Sequence, residues 1–121
     1  MSEEKIYGMP FAKVYPLLIA KAERKGRTRA EVDALAAWMT GYPPDRLSAF
    51  CGSDLTYGDF FRNAPAPRPE RMEIRGTVCG VRVAEIGTQP MRDIRILDLM
   101  VDRLAKGKTV AQITGITGPC R

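Results

Sequence analysis

One segment of this chain is written twice. Residues 18–32 read LIAKAERKGRTRAEV and residues 99–113 read LMVDRLAKGKTVAQI, aligned without a gap. Their shared core is Gly-Arg/Lys-Thr-x-Ala-Glu/Gln-Val/Ile, at 26–32 and again at 107–113. Each copy reads as a helix, a glycine that stops it in a left-handed conformation, a basic residue, and a threonine that caps the next helix. Thr28-Arg29-Ala30-Glu31 has the form of a capping box, and Thr109 to Gln112 repeats it. Two helix–glycine–helix junctions in so short a chain point to an all-α fold. The repeat itself contains no chemistry, and a glycine stop before a threonine cap also arises independently.

Other helices follow from punctuation and periodicity. A helix is expected from Pro10 to Lys25, with Phe11, Val14, Tyr15 and Leu18 on one face and a kink or restart at Pro16, whose missing amide removes a hydrogen bond. Between Thr28 and Gly41, Val32, Leu35, Ala36 and Met39 form a buried stripe flanked by Trp38. Pro43-Pro44-Asp45 starts a short helix, and Thr56 caps another that carries Phe60 and Phe61. A long helix from Pro90 to before Gly107 turns Ile94, Leu97, Val101 and Leu104 inward, widened by Ile96 and Met100. Arg95, Asp98, Asp102 and Lys106 take its other arc, where Leu99 is expected to be exposed. Residues 74–86 fit either period: Cys79, Val81 and Val83 alternate like a strand, whereas Ile74, Val78 and Val81 fit a helix. No partner strand is evident elsewhere, so a short helix ending at Gly87 is favoured. The whole reads as one small domain over 1–121, an irregular array of five to seven helices. It divides into a lobe over 1–62, an extended proline-rich connector over 63–71 carrying Pro65, Pro67 and Pro69, a lobe over 72–115, and a tail over 116–121.

Composition narrows the function. With 45% apolar and 27% charged residues the chain is ordinary for a globular protein. No apolar run approaches the roughly 20 residues that span a bilayer, and Met1-Ser2-Glu3-Glu4-Lys5 lacks the basic start and apolar run of a signal peptide. Cys51, Cys79 and Cys120 are odd in number and widely spaced, which suits reduced thiols. A cytoplasmic protein without a membrane partner is expected. Histidine is absent altogether, removing the commonest general base and a common zinc ligand. Phosphate-binding glycine loops are absent too. No catalytic residue, cofactor or metal is therefore expected, and the protein is read as a non-enzyme.

Two groups of charges merit inspection. Asp98 and Asp102 share a helix face and could hold a metal, but Arg95 and Lys106 are spaced to pair with them in an exposed ladder. Lys21, Arg24, Lys25, Arg27 and Arg29 form the densest basic cluster in a chain of net charge +5. They are the candidate contacts for an anion or nucleic acid. Glu23 and Glu31 interrupt that cluster, and the following helix is expected to show an alanine-rich outer face (Ala30, Ala34, Ala37) with few groups able to read bases. Arginines dispersed at 62, 68, 71, 75, 82, 92 and 95 are expected on the solvated surface, and Tyr7, Tyr15, Trp38, Tyr42, Phe60 and Phe61 in the core. The reading is a non-catalytic module binding an unknown protein partner or itself; a weak nucleic-acid binder through the 21–29 turn is the alternative.

Several separated motifs carry a resemblance. Ile6-Tyr7-Gly8-Met9-Pro10-Phe11 with Val14-Tyr15-Pro16, the run Lys21 to Thr28, Val32-Asp33, and Trp38 to Tyr42 resemble a bacterial family named domain of unknown function 2200. So do Gly76 to Val83, Glu85-Ile86, Ile94-Arg95 with Leu97-Asp98, and Leu104 to Lys108. The chain departs at Gln89-Pro90, where the family tends to have Asp-Pro, and over 113–121. The resemblance implies a small, all-helical bacterial protein and lends it no active site, substrate or cofactor.

Overall fold

The two junctions are closed by matching hydrogen bonds. The Gly26 amide donates to the Glu23 carbonyl and the Arg27 amide to that of Ala22, both at 3.0 Å. In the second copy Gly107 donates to Leu104 and Lys108 to Arg103, both at 3.1 Å. Such a stop needs a residue with positive φ, which Gly26 (80°) and Gly107 (107°) supply. Both capping boxes form. The Glu31 amide donates to Thr28 Oγ at 3.2 Å while the Thr28 amide donates to the Glu31 carboxylate at 3.0 Å. Gln112 and Thr109 make the same exchange at 3.1 and 2.9 Å.

These junctions sit in a computed structural model that describes residues 3–74, 76–78, 81–82, 86–87 and 89–114. Seven α-helices run through the described residues: α1 (Glu3–Tyr7), α2 (Phe11–Glu23), α3 (Arg29–Thr40), α4 (Pro44–Phe50), α5 (Tyr57–Arg62), α6 (Gln89–Ala105) and α7 (Val110–Thr114). The fold is all-α, as expected. Helix α2 continues through Pro16 without a restart. Pro16 is exposed, so water can reach the carbonyl that its missing amide leaves open. The tail over 116–121, with Cys120, and Cys79 lie outside the described residues.

Helices α2 and α6 pack side by side, with α3 against both, α4 on α3, α5 on α1, α2 and α6, and α7 on α3 and α6. One hydrophobic cluster runs from Ile6 to Ile113. At its α2–α5 end, Phe11 stacks on Tyr15 with ring centres 4.7 Å apart and lies 4.6 Å from Phe60. The starts of α2 and α5 are clasped by two backbone bonds, Phe11 to Leu55 at 2.8 Å and Tyr57 to Met9 at 2.7 Å.

The proline-rich connector is docked rather than free. A helix leaves its last four carbonyls without intrahelical partners. Those of α3 are all met: Ala37 by the Gly41 amide, Thr40 by Ala66, Met39 by Arg68, and Trp38 by the Arg68 guanidinium at 3.0 Å. From Pro69 to Glu73 the chain winds as a 3-10 helix, so the extended conformation expected as far as Arg71 ends earlier. Nor is Arg71 a surface residue. It is buried against Asp93 at 2.8 Å and also donates to the Arg68 carbonyl.

A second departure is the stretch from 74 to 86. In place of the favoured helix, β1 (Thr77–Val78) pairs antiparallel with β2 (Val81–Arg82), in register Thr77 with Arg82 and Val78 with Val81. The missing partner strand lies only two residues further along: a hairpin supplies its own edge locally. This hairpin also corrects the expectation for Leu99, which is buried. β1 lies on α6, and Gly76 approaches so closely that a Cβ there would stand 3.0 Å from a Leu99 methyl.

Thr28→Ala is expected to cost about 1 kcal/mol and Thr109→Ala distinctly less. Helix α3 carries Val32, Leu35 and Met39 into the core, whereas α7 ends after five residues. Denaturant titration of the two variants checks this; equal losses would mean that α7 is docked as firmly as α3.

A candidate interaction cleft between the two repeat copies

The five basic residues that stand together in the sequence do not stand together in space. Arg27 forms an ion pair with Glu31 at 2.6 Å. Arg29 pairs with Asp33 at 3.5 Å and donates to Ser48 at 3.2 Å. Lys21 reaches across to Asp102 of α6 at 3.3 Å. Arg24 and Lys25, both exposed, have no carboxylate within ion-pair distance among the described residues. The outer face expected of α3 is also mostly covered. Only Ala30 is exposed, and Ala34 and Ala37 are half-buried, since α3 packs against neighbours on several sides.

Lys21, Arg24 and Lys25 instead line a cleft of about 480 Å³ together with Asp102, Ala105 and Lys106. These are the same three positions of each repeat copy: Lys21 aligns with Asp102, Arg24 with Ala105, Lys25 with Lys106. The C-terminal ends of α2 and α6 therefore meet side by side, and the cleft lies between them. Asp102 is shared by two cations, with Lys106 at 3.0 Å completing the pair with Lys21. Its carboxyl is held below the usual range, first by the Lys106 hydrogen bond and then by Lys21. Lysines here also complement the partial negative charge of two helix C-termini. One turn before Lys21 on α2 stands Leu17, a large apolar side chain left 63% exposed. Sequence reasoning picked out the α2 side of this cleft and missed Leu17, Ala105 and Lys106. The gapless repeat alignment was the signal that could have found the last two.

A second set of polar groups is enclosed in the helix packing. Tyr15 donates to Asp33 at 2.5 Å, and Asp33 also meets Arg29. Burial, then that hydrogen bond, raises the Tyr15 phenol far above its ordinary range. Tyr57 is buried with no hydrogen-bond partner for its hydroxyl among the described residues. Burial, reinforced by the nearby Asp98 charge, raises its phenol too. Asp98 pairs with Arg95 at 3.6 Å, but removal from water outweighs that pair and raises its carboxyl above the usual value. The Asp98–Asp102 face is thus an ion-pair ladder, and no group of three metal-ligating side chains occurs among the described residues. No helix among them is long and apolar enough to cross a membrane.

Two pairs of substitutions test these environments. Tyr15→Phe is expected to destabilise by about 1–3 kcal/mol, because it leaves a buried carboxylate oxygen without its donor. Tyr57→Phe should be neutral or stabilising by up to about 1 kcal/mol, since it removes an unpaired hydroxyl; chemical denaturation measures both. For Asp102 the folded carboxyl titrates below the unfolded one. Its contribution is present above the unfolded value, about 4, and fades as pH falls through the folded value. Asp102→Asn should therefore cost up to about 0.5 kcal/mol at neutral pH and nothing in strong acid. For Asp98 the sign reverses: the ionised form is disfavoured in the fold above its folded value. Asp98→Asn should raise the melting temperature at neutral pH, with the gain vanishing as pH falls below the unfolded value.

With the geometry in place, comparison with known proteins gives the relationship. The chain belongs to a bacterial family, domain of unknown function 2200, described as "Uncharacterized protein conserved in bacteria", whose profile matches residues 5–115. It is similar to the crystal structure of uncharacterized protein SP1917, with 50% sequence identity and a TM-score of 0.90 over 95% of this chain and 93% of that one. None of the curated proteins matches it.

Proposed function

We propose that this member of the domain of unknown function 2200 family is a non-catalytic protein-interaction module acting through the cleft between α2 and α6. The observation that carries the reading is the composition of that surface. Both repeat copies contribute to one open cleft, its charged heads stand on alkyl stems beside Ala105, and exposed Leu17 lies one turn before Lys21 on α2. Cations on long alkyl stems suit contact with a protein surface, because the stems can cover apolar groups while their heads stay in water. Two of the buried polar groupings are bound into the packing: Asp33 holds Tyr15 and Arg29, and Asp93 holds Arg71. The absence of histidine from the whole chain supports the same side. We assign the protein to the cytoplasm on its odd number of widely separated cysteines.

Weak nucleic-acid binding through the 21–29 turn is the second reading. Arg24 and Lys25, exposed and without a carboxylate partner among the described residues, favour it. Against it, Lys21, Arg27 and Arg29 are already engaged with carboxylates.

A photo-crosslinking residue placed at Ala20 or Lys25 and activated in living cells tests the reading, with exposed Asp45 on α4 as the control position. Protein adducts specific to the cleft positions and resistant to nuclease are expected. Adducts that nuclease removes would replace the interaction module with the nucleic-acid binder.

A further inference from the structure

We infer that the cleft receives an acidic, amphipathic segment of a partner protein, an inference that rests on reading the chain as an interaction module. The cleft already displays the group it prefers. Asp102 occupies it as an internal carboxylate, held by Lys21 at 3.3 Å and Lys106 at 3.0 Å from opposite walls. Arg24 and Lys25, on the rim, have no such partner among the described residues and remain open to carboxylates from outside. Between the charged heads lie their own alkyl stems and the Ala105 methyl. Exposed Ala20 and Leu17 extend it along α2, spaced four and seven residues before Arg24 and so on its face. An occupant must offer carboxylates and an apolar side chain on one face, as an amphipathic acidic helix does.

Charge decides among occupants. A second copy of this chain carries net charge +5 and would bring cations to cations. Phosphate groups, dense in charge, would face the partial negative ends of α2 and α6 and leave Leu17 uncovered. Carboxylates meet the same helix ends with a single charge each, and an apolar face between them covers Leu17.

Fluorescence anisotropy of the full chain with a labelled helical peptide, in which Glu residues flank leucines, tests the inference against the same peptide with Gln for Glu. The Glu peptide should bind about tenfold more tightly than the Gln peptide and weaken with added salt. The double variant Arg24→Glu with Lys25→Glu should lose about tenfold, while Arg46→Glu, the same charge change on α4, leaves binding unaltered. Asp102→Asn should strengthen binding, roughly threefold, because it releases Lys21 and Lys106 to the peptide. Circular dichroism confirms that each variant keeps its helices. Glu and Gln peptides binding alike, neither binding, or Asp102→Asn weakening the complex overturns the acidic-segment inference. The interaction-module reading then still stands or falls on the protein crosslinks. If oligothymidylate or inorganic phosphate displaces the Glu peptide and binds with the same dependence on Arg24 and Lys25, both readings fall.

Discussion

Enclosing α6 is the constraint on which the other parts depend. From Pro90 to Ala105 no side chain is exposed, although the helix carries three aspartates (Asp93, Asp98, Asp102) and three arginines (Arg92, Arg95, Arg103). A charge removed from water is tolerated only with a partner, and two of the partners come from elsewhere in the chain. Arg71 reaches Asp93 from the 3-10 helix, and Lys21 reaches Asp102 from α2. The apolar stripe draws α2, α3 and α5 onto the helix, and the ion pairs fix how they meet. Asp98 shows the cost of incomplete compensation, since its pair with Arg95 does not offset the lost hydration.

The connector illustrates a second use of unpaired polar groups. Helix α3 ends with carbonyls that need donors, and Ala66 and Arg68 deliver them. Arg68 also lies over the Trp38 ring at 5.5 Å, so one side chain serves as hydrogen-bond donor and as cover for an aromatic surface. Prolines that exclude regular structure leave the intervening amides free to serve α3 in this way.

The duplicated junction has a spatial consequence that bears on function. The aligned positions of two helix ends form the walls of a single cleft, so the repeat concentrates cations where two helix C-termini already favour them. The cations of this cleft therefore stand at or just beyond two helix ends. The dispersed pairing of Arg27 and Arg29 with Glu31 and Asp33 stabilises the first junction and withdraws those arginines from solution partners.

Local signals were legible in the amino-acid order because they are local in physics. Thr28 and Thr109 cap helices, Gly26 and Gly107 stop them, and the stripe from Val32 to Met39 is buried, all through contacts within a few residues. The all-α class and the family likeness came from the same short-range patterns. Only the tertiary structure decided which faces are covered. Leu99 reads as exposed among charges, yet Gly76 and β1 lie over it. Arg71 reads as a surface cation, yet its counter-charge arrives from Asp93 of α6. The cluster from Lys21 to Arg29 reads as one basic patch, but helical rotation and distant carboxylates divide it, leaving Arg24 and Lys25 to face a wall built by the other repeat copy. Periodicity specifies that a residue lies on a face; what that face meets depends on chain segments far away in sequence, and no local pattern encodes them.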